Sequence, residues 1–267
     1  MLKNNSYTDS INSRIFIKGN VMNLQRLIIY LLLVFTLSSC SSFPKISQKT
    51  ESKNYFPAKA GERYGSLVDP RDGQKYKTIK IGDQIWMAEN LNYGKVMQDC
   101  KQTQNGIIEK TYYNNDPKMG EKYGALYTWQ EANLETGKNG GLAPPGWHIP
   151  SLEEWRELKQ FLGDSSGQKM KASQSDSIPW DGTNESGFTA IPSGESYQEY
   201  FGREGQWAIY WTATERDGEF AWFAQLDGFW YPEPPKYIKL YLGNYYLKEN
   251  AFSVRCIKDN SREGNNQ

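Results

Sequence analysis

The clearest hydrophobic period in the chain covers residues 152–162. Leu152, Trp155, Leu158 and the pair Phe161/Leu162 recur every three or four positions, with charged and polar residues between them. That spacing puts one apolar stripe on one helix face. Ser151 and Glu154 form a Ser-x-x-Glu capping box in front of it, and Gly163 stands behind it as a stop. A helix over 151–162 is predicted, entered through a stiff Pro144-Pro145-Gly146 turn with Trp147 as its core anchor. Elsewhere the period changes to two. Residues 75–81 alternate and are rich in β-formers, Gly82-Asp83 breaks the run, and 84–87 resume it, which predicts a hairpin. Strands are also predicted over 208–214, 220–226, 237–242 and 251–257. Arg216-Asp217-Gly218, Asp227-Gly228 and Gly243-Asn244 are read as turns between them. Pro232, Pro234 and Pro235 exclude a central strand there. Residues 123–134 read as a second helix. From 169 to 205 periodicity disappears and Gly, Ser, Asn and Pro dominate, so a long ordered loop region with aromatic anchors is expected.

A different pattern opens the chain. An apolar run of about eleven residues, 27–37, follows Arg26 and leads into Leu37-Ser38-Ser39-Cys40. It is too short for a bilayer span, which needs about 20 residues, and has the dimensions of a signal-peptide core. Residues 1–39 are therefore expected to be a signal peptide, with Met22 as the true start. The Leu-Ser-Ser-Cys ending resembles the bacterial lipobox, which implies lipidation of Cys40 and a mature chain that begins there. The other reading is an ordinary secretory signal with an incidental cysteine. Residues 40–63 are polar and read as a flexible tether, 64–259 as one domain, and 260–267 as a disordered tail.

The segment Gly146-Trp147-His148-Ile149-Pro150-Ser151-Leu152-Glu153-Glu154-Trp155 resembles the signature of the Fibrobacter succinogenes major paralogous domain family. Six further blocks match in order: 69–76, 82–93, 123–129, 187–194, 210–215 and 252–259. The resemblance implies an α+β, C-type-lectin-like fold: two short helices with antiparallel strands and long ordered loops. It implies an exported bacterial protein or lipoprotein, and no general activity. Family members often carry Cys where Ala143 stands, so a disulfide at that position is absent here. The cysteine chemistry of the related formylglycine-generating enzymes has no matching pair in this chain and is not carried over.

Composition narrows the chemistry. Lys plus Arg and Asp plus Glu are both 31, for zero net charge, and aromatic residues make up 14%. A neutral domain without a basic stripe argues against a nucleic-acid partner. His148 is the single histidine. Without ligand-spaced Cys, Asp or Glu it reads as a ring that satisfies nearby backbone groups, rather than a base or metal ligand. With Cys40 lipidated, Cys100 and Cys256 remain. They are either a disulfide, permitted in an exported chain, or two thiols with Cys256 buried in a strand. Residues 180–185 have oxygen ligands suited in type to Ca²⁺ but read more simply as a turn. No catalytic residue, metal set or cofactor motif stands out. Trp207, Trp230 and Tyr231 are the candidate ligand-binding residues, through loops around 180–205 and 228–236, while Trp222 is expected inside.

The expectation is a lipid-anchored envelope protein, on an outer membrane face left open. It would hold the membrane through its anchor and bind a glycan or an envelope protein without catalysis. The alternatives are a polysaccharide-acting enzyme and a purely structural envelope component.

Overall fold

The computed structural model describes residues 55–97, 107–134, 141–198, 200–227 and 240–260. In chain order they form β1 (Tyr55–Phe56), β2 (Gly65–Val68), β3 (Lys75–Ile81), β4 (Gln84–Met87), β5 (Lys95–Val96) and β6 (Glu109–Lys110). Helix α1 (Pro117–Tyr123), β7 (Tyr127–Thr128), α2 (Trp129–Ala132), β8 (Trp147–His148), α3 (Leu152–Leu162) and α4 (Ser166–Met170) follow. The chain ends on β9 (Ser193–Tyr197), β10 (Tyr200–Glu204), β11 (Trp207–Glu215), β12 (Phe220–Asp227), β13 (Tyr241–Leu247), β14 (Asn250–Phe252) and β15 (Ile257–Lys258). One sheet runs β1-β2-β3-β4-β15-β8. The other runs β13-β12-β11-β9-β14-β7, with β10 hairpinned onto β9. Pairing is antiparallel except at β11/β9 and in the small β5/β6 sheet.

The central strands are buried on both faces, which is why they read as near-continuous apolar runs. Tyr76, Met87, Ile209, Trp211, Phe223 and Phe252 point into one core. Their strand neighbours Ile79, Ile81, Trp86, Tyr210, Ala224 and Leu226 point into a second, with Trp155, Leu158 and Leu162 of α3. At its centre Trp86, Trp155, Phe188 and Tyr210 form an aromatic quartet. Trp86 and Trp155 lie 4.8 Å apart by ring centroid, and Trp155 stacks on Tyr210 at 5.6 Å. The Arg255 guanidinium lies 4.3 Å from the Phe188 ring and 5.4 Å from that of Tyr210.

Helix α3 forms as its sequence requires. Ser151 Oγ accepts the Glu154 amide at 3.3 Å, and Glu154 Oε2 accepts the Ser151 amide at 2.8 Å. Gly163 ends it at φ 73°. Leu162 takes the inner position of the last turn, and Phe161 stays 65% exposed. The β3–β4 hairpin has the predicted register, Ile81 opposite Gln84.

Other expectations need correction. The helix read over 123–134 shrinks to the single turn of α2, Trp129–Ala132, capped by Thr128, because Tyr127–Thr128 pairs as β7 instead. Asp116 caps α1 through the Lys118 amide, Pro117 starts it, and Gly124 stops it at φ 78°. A Cβ on Gly124 would lie 2.8 Å from that of Asn90, so glycine is needed there twice over. Two predicted helices become four among the described residues. The loop read over 169–205 holds α4 and the β9/β10 hairpin. Gly243-Asn244 is not a turn. It lies in β13 where the register against β12 shifts, and the glycine makes room for the Phe223 ring, which a Cβ there would strike. Residues 251–257 split into β14 and β15, which belong to different sheets. Strand structure begins at Tyr55, paired with Leu67, inside the stretch read as a tether. Trp222, expected inside, is only partly buried, with Arg156 5.7 Å from its ring.

Removing the quartet's central ring should cost far more than removing the cap beside it. Trp155→Ala is expected to lose about 3–5 kcal/mol and Ser151→Ala about 1 kcal/mol in urea unfolding. Equal losses would mean that the quartet is not the centre of the core.

Candidate functional site

His148, at the end of β8, meets two carboxylates rather than backbone groups. Its Nδ1 lies 2.7 Å from Asp259 Oδ1, and its Nε2 lies 2.8 Å from Glu154 Oε1. A carboxylate on each nitrogen favours the doubly protonated ring, and in that form both nitrogens donate and neither offers a lone pair. The backbone reading is corrected for a tertiary reason: the capping glutamate of α3 and the end of the strand system converge on the same ring. The Glu154 hydrogen bond is the main force that raises the His148 pKa. Burial opposes it, and Asp259 adds to it. Burial also pushes Glu154 up, but His148 and Ser151 outweigh it and hold that carboxyl below its usual range. The cluster clasps β8, the start of α3 and the end of the described chain together.

A second group of side chains gathers at one end of the larger sheet. Register places Ile209, Gln225 and Tyr241 in one row, and Trp207 opposite Asp227 in the next, so all five share a face. Glu195 of β9 shares it too, because its neighbour Gly194 pairs with Ala208 on the opposite face. Tyr241 and Tyr245 are 48% and 52% exposed, with centroids 6.4 Å apart. Both lean on Phe223. Arg203 stacks 4.4 Å from the Trp207 ring. Oxygens Gln225 Oε1, Gln206 Oε1 and Glu195 Oε2 are buried without a hydrogen-bond partner. Burial pushes the Glu195 pKa up, against the pull of the Tyr246 hydroxyl and the Arg203 charge.

A third feature is a polar cleft of about 270 Å³ between β3, the loop after β4, the end of α1 and residues 176–191. Arg255 lines it, 1% exposed, and donates to Asn90 Oδ1 at 2.8 Å, Thr189 O at 2.8 Å and Phe188 O. Asn90 Nδ2 in turn donates to Tyr123 O and Ser253 Oγ.

The quartet, Arg255, His148 and the aromatic face all fall within residues 79–258, the stretch matched by the family model for the Fibrobacter succinogenes major domain. The chain belongs to that family. Comparison with curated proteins and with solved structures yields no match. The 69–76 block lies before the matched stretch of this Fibrobacter succinogenes major domain protein. Its Arg71 forks onto Asp69 and reaches Gly141 O and Leu142 O.

Of the residues singled out from sequence, Trp207 is placed on the aromatic face. Trp230, Tyr231, Cys100 and Cys40 lie outside the described residues. Cys256 is a fully buried free thiol, and burial raises its pKa. Such a thiol is unreactive in the folded state. Asp181 faces Lys171 at 2.8 Å, and the Asn184 amide donates to Asp176, so the 180–185 oxygens serve the fold. Sequence reasoning missed Tyr241, Gln225 and Glu195, which only strand register collects, and Arg255, visible only as one member of a motif. Among the described residues no helix is long and apolar enough to cross a membrane.

The clasp gives a pH signature. A raised histidine pKa stabilises the fold fully below the free value near 6.5. That stabilisation is lost as pH rises through the folded value. Urea midpoints of the native chain and His148→Gln should therefore differ most between about pH 5 and 6.5 and converge toward pH 9. A gap that widens with pH would contradict the ion-pair geometry.

Proposed function

We propose that this protein is a lipid-anchored component of the bacterial envelope whose C-type-lectin-like domain binds a carbohydrate without turning it over. The observation that carries the reading is the sheet end that bears Trp207, Tyr241 and Tyr245. A sugar ring offers C–H groups on its faces and hydroxyls at its rim. Exposed aromatic rings suit the first. The exposed Asp227 opposite Trp207 and the Arg203 guanidinium stacked on that indole suit the second. Anchoring rests on the lipobox-like ending at Cys40. Two or three acyl chains hold a protein stably at a membrane, which suits an outer-membrane lipoprotein. No cofactor enters this reading.

A polysaccharide-acting enzyme is the second reading, and one observation favours it. Glu195, its pKa raised by burial, shares the face with Asp227, and glycoside hydrolysis uses such a pair with one acid kept protonated.

A glycan panel probed with the full chain tests both. A retained glycan should bind Tyr245→Ala and Trp207→Ala at least tenfold more weakly, about 1.4 kcal/mol, at unchanged melting temperature. Release of reducing ends, lost in Glu195→Gln, would replace binding with hydrolysis. Retention unaffected by either aromatic substitution would remove this face from the site. In cell fractions, Cys40→Ser should move the protein from membrane to soluble material, and an unchanged distribution would end the anchor reading.

A further inference from the structure

Among the described residues, the deeply buried cations other than Arg255 either pair with a carboxylate or have a pKa lowered toward neutrality. Lys171, 1% exposed, pairs with Asp181, Arg71 forks onto Asp69, and Lys248 pairs with Glu215. Lys110 donates to the two Asn92 oxygens, at 2.6 and 2.8 Å, and burial lowers its pKa to about 8, within reach of losing its proton. Arg255 does neither. A guanidinium stays charged in proteins, and the three acceptors of Arg255 are all neutral. Among the described residues no carboxylate forms an ion pair with it; Glu89 acts on it only at longer range. Three of its five N–H groups are spent. The Phe188 and Tyr210 rings offset part of the desolvation cost. Holding two carbonyls and an amide in place does not require a buried charge, which is costly unless paired.

The cleft beside Arg255 is large for an inorganic anion and near the lower end of small-ligand sites, ~300–1,000 Å³. Its lining is amide, hydroxyl and charge rather than apolar. Lys75 and Lys77, both exposed, stand at its rim. Of its three acids, Asp176 is engaged by Ser173 and Asn184, Glu89 Oε2 accepts the Lys77 amide at 2.6 Å, and Glu121 stands exposed at the edge beside Lys122.

We propose that this cleft binds a hexuronate, with the sugar carboxylate at the two unspent N–H groups of Arg255 and the ring hydroxyls on the polar wall of Gln74, Asn92 and Thr189. The site is separate from the aromatic face and does not depend on it. Calorimetry on the full chain with glucuronate, glucose and inorganic phosphate tests the assignment. Glucuronate should bind saturably, at least tenfold tighter than either of the others, and more weakly as salt rises. Ser177→Trp, an exposed rim position, and Lys77→Glu should each weaken it at least tenfold without lowering the melting temperature. Arg255→Lys should abolish it, and if that chain fails to fold, the two rim variants decide. Tyr245→Ala should leave glucuronate binding intact even where it removes glycan retention, so the two sites fail separately. Absent glucuronate binding, equal binding of phosphate, or binding indifferent to both rim variants would overturn the proposal.

Discussion

Arg255 holds a fixed positive charge between the rings of Phe188 and Tyr210, inside a core also built from Trp86 and Trp155. Each of these residues arrives on a different element: β4, α3, the segment before β9, β11 and the approach to β15. The guanidinium pins the carbonyls of 188 and 189 and the Asn90 amide. Asn90 fastens the end of α1 through Tyr123 O and reaches β14's successor through Ser253. The close approach of Gly124 to Asn90 follows from the same junction. Aromatic area supplies the driving force, and the fork sets the distances between segments that share no regular hydrogen-bonded ladder.

That junction explains where binding surfaces can exist. The central strands β11 and β12 are covered on both faces and offer little free side-chain area, while β3 and β13 keep exposed positions. Free chemistry is left where coverage ends. One such place is the end of the larger sheet, where β13 turns aromatic rings outward past a bulge. The other is the cleft over Arg255, walled by the loops that the junction draws together. The His148 clasp lies away from both and joins the end of the described chain to the start of α3.

Elements whose signals are local were legible from residues alone. The β3–β4 hairpin and α3 came out at the expected bounds, because Gly82-Asp83 and the Ser151/Glu154 box settle their own backbone within a few positions. Elements whose signals compete were not. Asp116-Pro117 and Gly124 place α1 earlier than the apolar spacing after Tyr123 suggested, since a cap and a stop outweigh periodicity. Ser193-Gly194-Glu195-Ser196 has poor strand propensity and becomes a strand because β10, β11 and β14 supply its ladder.

The sequence by itself determined the family, the α+β class, the Trp147 and Trp155 core anchors and the entry and exit of α3, all of which depend on residue type at short range. The tertiary structure alone decided the partners of His148, the burial of Cys256 and the grouping of Trp207 with Gln225, Tyr241 and Glu195. It also left Arg255 without a carboxylate. These depend on which strands lie side by side and in which register, and residues up to 165 positions apart carry no local mark of that meeting.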